Sequence, residues 1–295
     1  MTAARIGDLT IEYDETGEGT PLLLVMGLAS QLIHWPDEFV EQIASRGFRV
    51  IRYDNRDIGL STKMSGPPPS PGRTIVSLFS RRLAKSPYLL GDMADDAAGL
   101  LDHLGIDRAH VVGVSMGGMI AQSLTIRHPR RVASLTSIMS NTGDRKAGRP
   151  AMSLIRRMPK YLKPSEATAI EDGVAIDRLV SGPHFDEAEA REMIIRANAR
   201  NYDPAGTARQ TAAISASPDR TKDLRRVTAP TLVIHGLVDK LVQPSGGIAT
   251  AKAVPGSRLL MFPDMAHDLP RNRWDEIVDA IVTNTERAAA PATLR

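Results

Sequence analysis

The sequence predicts an α/β protein, a mostly parallel sheet flanked by helices, with a helical cap inserted before the strand that carries a candidate acid. Three observations predict it. Short apolar strand-like runs alternate with stretches of helical spacing over most of the 295 residues. One such run, "HVVGV", enters a helix-like stretch through a Gly-X-Ser-X-Gly turn at Gly113, Ser115 and Gly117. A long segment from Asn141 to about Arg226, helical in flavour, interrupts the alternation. The expected layout is a core of residues 1–140 and 227–287, a cap of residues 141–226, and a flexible tail of residues 288–295.

In chain order, Arg5 to Glu15 reads as a hairpin around Gly7-Asp8. "LLLVM" (Leu22 to Met26) is a continuous apolar run of the buried parallel-strand kind. Pro36 to Arg46 follows as a helix with Phe39, Val40 and Ile43 on one side, stopped by Gly47. "FRVIRYD" is the next strand, and its loop holds the polar cluster Asp54, Asn55, Arg56 and Asp57, suited either to substrate contact or to an internal salt-bridged turn. Lys63 to Gly91 contains a proline-rich linker. Met93, Ala97, Leu100, Leu101 and Leu104 then recur at helical spacing before Gly105. Strands are also expected at Val132 to Met139, Ala229 to Gly236 and Ser257 to Pro263, with a last amphipathic helix at Trp274 to Val282.

Composition narrows the chemistry. Without cysteine there is no disulfide framework, thiolate metal site or cysteine nucleophile. The histidines have no ligand spacing with a carboxylate, so no metal is expected. A net charge of +3 and 4% aromatics give no sign of nucleic-acid binding. The first residues lack an apolar signal core and no run is long enough to span a membrane, so a cytoplasmic location is expected.

In parallel sheets reactive groups gather at the carboxyl ends of strands. Gly27, Ser115, Asp239 and His267 all fall just after expected strands. A serine hydroxyl needs a base to take its proton, and an imidazole needs an acid to hold its tautomer. Ser115, Asp239 and His267 supply these types in the chain order this architecture requires. Asp264 and Asp268 compete for the acid's role, but lie so near His267 in sequence that they would have to fold back sharply. His103 and His110 read as structural, His128 as a surface residue and His235 as a packed core residue. His34 and His184 lie where either could face substrate.

These motifs resemble the α/β-hydrolase superfamily, and within it bacterial serine esterases of the aclacinomycin methylesterase type. The likeness runs from "PLLLVMGLAS" through "WPDEFVEQIASRGFRVIRYDNRDIGLS" and "GVSMGGMIAQ" to the "AH" pair at 266–267, and thins in the cap. It implies the α/β-hydrolase fold, Ser115 as nucleophile, Asp239 as acid and His267 as base. It also implies an oxyanion hole made of the backbone N–H groups of Leu28 and Met116, and no cofactor. The implied reaction is hydrolysis of a small-molecule carboxylic ester. Thioester cleavage and cofactor-free haloperoxidase-like chemistry are alternatives on the same residues; a ligand-binding protein without turnover is an alternative from another class. Many members carry His-Gly where this chain has Met26-Gly27, a change that leaves a backbone donor in place.

Cap charge is uneven. Arg145, Lys146, Arg149, Arg156, Arg157, Lys160 and Lys163 interleave with Met152, Leu154, Ile155, Met158 and Leu162, and "LFSRRLAK" (78–85) is a smaller version. The expected roles are a solvated face over a packed lid or weak peripheral contact with anionic lipid.

Overall fold

The computed structural model describes residues 2–66, 84–157 and 165–289. Eight strands form one sheet in the order β1-β2-β4-β3-β5-β6-β7-β8. They are β1 (Thr2–Ile6), β2 (Leu9–Thr16), β3 (Thr20–Val25), β4 (Phe48–Tyr53), β5 (Ala109–Val114), β6 (Val132–Ile138), β7 (Thr231–Gly236) and β8 (Arg258–Phe262). The β1–β2 and β2–β4 pairs are antiparallel and every later pair is parallel.

The core helices are α1 (Asp37–Ala44), α2 (Leu90–His103) and α3 (Met116–Arg127). Between β6 and β7, besides single helical turns at Met152–Ile155 and Thr221–Leu224, lie the longer helices α4 (Ala169–Val180), α5 (Glu187–Arg200) and α6 (Pro204–Ala216). After β7 come α7 (Ser245–Ala253) and α8 (Trp274–Ala289). The last helix therefore runs into the stretch expected as a tail; residues 290–295 lie outside the described ones, as do most of "LFSRRLAK" and Met158 to Lys163 of the basic stretch.

Period-two alternation sends the apolar runs to both faces. Leu23, Val25 and Ile51 pack with Leu100, Leu101 and Ile120 of α2 and α3 on one side. Leu22, Leu24 and Val50 pack with Phe39 of α1 and with Ile277 and Ile281 of α8 on the other. Helix α3 is buried on nearly all sides from Met116 to Thr125, so it carries little amphipathic signal. No helix among the described residues is long and apolar enough to cross a membrane.

The segment between β6 and β7 is tied to loops at the carboxyl ends of the core strands. Arg200 of α5 donates to Asp54 at 2.6 Å, and Arg209 of α6 donates to Asp57 at 2.7 Å. Both carboxylates are fully buried. The expected salt-bridged turn is present, with Arg56 on Asp96, yet two of its acids reach across to the inserted helices. Gly206 lets α6 approach this turn: a Cβ there would lie 2.0 Å from the Asp57 carbonyl oxygen.

Candidate active site

Ser115 sits between β5 and α3 with φ 53° and ψ −119°, a left-handed conformation that L-residues avoid. Its neighbours explain how the strain is held. A Cβ on Gly113 would lie 2.2 Å from the Gly117 carbonyl oxygen, and one on Gly117 would lie 2.0 Å from that of Val25. Only glycine admits that approach. The Ser115 N–H donates to Ile138 O at 2.9 Å, tying the turn to the end of β6.

Three loops converge there. His267 Nε2 lies 2.9 Å from Ser115 Oγ, and His267 Nδ1 lies 2.8 Å from Asp239 Oδ2. An ionised carboxylate only accepts, so the proton of the neutral ring sits on Nδ1 and Nε2 accepts from the hydroxyl. Asp239 Oδ1 is itself held by the N–H groups of Leu241 and Val242, at 2.8 and 2.9 Å. Burial pushes this carboxyl up, but hydrogen bonds from His235 and His267, attraction to His267 when that ring is protonated, and the Val242 N–H outweigh it and bring it down to about 2. The other candidate acids do not meet the ring. Asp264 pairs with Arg273 and His184, and Asp268 accepts from the N–H groups of Gly182 and Ala266.

Because Asp239 titrates below its ordinary value of 3.8 when folded, its contribution to stability is full above that value and disappears as pH falls toward 2. Asp239→Asn should cost about 2 kcal/mol at pH 6, with the gap from the parent closing between pH 4 and pH 2. Urea denaturation of both proteins across that range measures it; a gap independent of pH would contradict the assignment.

Gly27 passes Ser115 closely, its ideal Cβ position lying 3.3 Å from the serine Cβ. This brings the Leu28 loop alongside the hydroxyl, while Met116 opens α3, where helix N–H groups have no intrahelical partner. The two amides expected as an oxyanion hole thus flank the same turn. Of the remaining histidines, His110 is buried against Ser134 at 2.8 Å and pushed down to about 4, chiefly by burial. His128 bonds Asp95 at 2.7 Å, and His103 meets the Tyr13 ring edge-on. His34 accepts from the Gln31 N–H at 3.0 Å, with burial pushing it down to about 4. No cluster of three His, Asp or Glu side chains among the described residues is placed to hold a metal ion.

The alpha/beta hydrolase fold family model matches residues 20–270. The chain belongs to the α/β-hydrolase family. It is 30% identical over 292 residues to rhodomycin D methylesterase DnrP of Streptomyces peucetius, covering 91% of each chain. It is 26% identical over 276 residues to the putative non-heme bromoperoxidase BpoC of Mycobacterium tuberculosis, covering 88% of this chain and 91% of that one. An enol-lactonase structure from Burkholderia xenovorans LB400 shares the fold of this α/β hydrolase, with a TM-score of 0.74, 24% identity and coverage of 97% and 100%.

Sequence reading missed the residues that brace the site from the inserted helices: Arg200, Arg209 and Gln210, together with Gln31, which donates to Ala197 O and Asn201 O. The available signal was the buried-acid turn at 54–57, whose two aspartates need cations from elsewhere.

Proposed function

We propose that this α/β hydrolase cleaves carboxylic esters of small molecules through an acyl-enzyme on Ser115. The observation that carries the reading is the relay from Ser115 Oγ through His267 to buried Asp239, with links of 2.9 and 2.8 Å. As Oγ attacks the ester carbonyl, Nε2 takes its proton and Asp239 steadies the imidazolium. The N–H groups of Leu28 and Met116 receive the oxyanion, each contributing about 3 kcal/mol. The intermediate collapses, the C–O bond breaks, and Nε2 returns the proton to the departing alcohol. Water then gives a proton to Nε2 and attacks the acyl carbon, releasing the acid and restoring Ser115. The similarity to a methylesterase over 91% of each chain supports ester rather than amide substrates.

The likeness to a putative bromoperoxidase carries a second reading, with hydrogen peroxide replacing water at the acyl carbon. The product would be a peracid, able to oxidise bromide. Assays of p-nitrophenyl butyrate turnover, and of bromide oxidation with acetate and peroxide, separate the two. A fluorophosphonate should add to Ser115, identified by peptide mass spectrometry, and stop hydrolysis in proportion to labelling. Hydrolysis that persists in fully labelled protein would refute the acyl-enzyme.

A further inference from the structure

Within the loop that carries Leu28, the peptide planes are held one by one. Asn55 Nδ2 donates to Met26 O at 3.0 Å. The Ser30 N–H donates to Gly27 O at 3.4 Å, and Gly27 O shares its peptide plane with the Leu28 N–H. The next plane, Leu28–Ala29, is held at both ends: Ser30 Oγ donates to Leu28 O at 3.3 Å, and the Ala29 N–H donates to Gln210 Oε1 at 3.1 Å. Ala29 needs that support, because its φ of 63° is left-handed and it has a Cβ.

Gln210 is fully buried on α6, and its other arm is also engaged, Nε2 donating to Arg56 O at 2.9 Å. Both ends of the carboxamide are thereby assigned, and its neighbour Arg209 anchors α6 through Asp57. The geometry matches an amide chosen to keep a strained turn in one orientation.

We infer that Gln210 is a positioning residue for the oxyanion hole, acting through the Leu28–Ala29 peptide to aim the Leu28 N–H at the developing oxyanion. The inference rests on the esterase reading above. It makes the inserted helices part of the acid–base machinery's setting, since a residue of α6 reaches the loop beside Ser115. A donor displaced by a fraction of an ångström loses transition-state stabilisation while substrate binding is little changed.

The test uses the full chain and p-nitrophenyl butyrate. Gln210→Met keeps the volume but removes both hydrogen bonds, and kcat should fall about 10- to 100-fold with KM within about threefold. Phosphonylation of Ser115 should slow by the same factor. Gln210→Glu keeps an acceptor for the Ala29 N–H but loses the donor to Arg56 O, so its kcat should lie between those of the parent and the methionine variant. Glu189→Gln, which cuts the exposed contact of α5 with Arg271, should behave as the parent. Should the methionine variant fail to fold, Gln210→Asn, with its amide withdrawn by one methylene, should show the same kcat loss. Parental kcat in a folded Met or Asn variant would overturn the inference, as would a Glu variant as slow as the Met one. If turnover instead survives Ser115→Ala, the esterase reading fails, whatever Gln210 does.

Discussion

Replacing Ser115 with alanine should lower p-nitrophenyl ester turnover by a factor on the order of 10⁴ to 10⁶ and should leave the melting temperature within a few degrees of the parent's. A loss this large is expected because, in the proposed reaction, one oxygen serves as both attacking atom and acyl carrier, and the neighbouring groups cannot substitute for it. What remains is catalysis by the donors around an empty nucleophile position. Stability changes little, because the hydroxyl's link to His267 at 2.9 Å is one hydrogen bond in a part-buried setting. A variant that retains parental kcat would move the chemistry to another residue.

The second large effect concerns stability. Arg209→Met leaves Asp57 fully buried with the Tyr88 hydroxyl at 2.6 Å and the Met64 N–H at 2.7 Å, but without its paired cation. Breaking a buried pair from one side costs about 3–5 kcal/mol, which should lower Tm by about 10 °C. Adding Asp57→Asn removes the stranded charge and should return part of that loss, so the two substitutions are strongly non-additive. Calorimetry of the single and double variants measures the coupling. Additive losses would show that the pair does not bear the load assigned to it.

Much of this was legible in sequence because it is local. The apolar run of β5 and the two glycines spaced about Ser115 specify a strand, a forced turn and a helix within a dozen residues. Asp239 and His267 could be placed because each follows an apolar strand by a few residues. What escaped is what depends on distant partners. The bond from Ala29 to Gln210 spans 181 positions, and nothing in the composition of α6 marks one glutamine as different from another. Helix α7 escaped for a different reason. Its Gly246 and Gly247 weaken any helical pattern, yet the second is demanded by packing, since a Cβ on Gly247 would lie 2.5 Å from His235 Nδ1. The long last helix was expected to stop at Val282, but Asn284 and Thr285 are buried and it continues.

The inserted helices grip more than one loop of the candidate site. Besides the contact to Ala29, the carbonyl of Val180 at the end of α4 accepts from the backbone N–H of His267 at 3.0 Å. Any excursion that swung this roof aside would unseat the imidazole and the amide donors together.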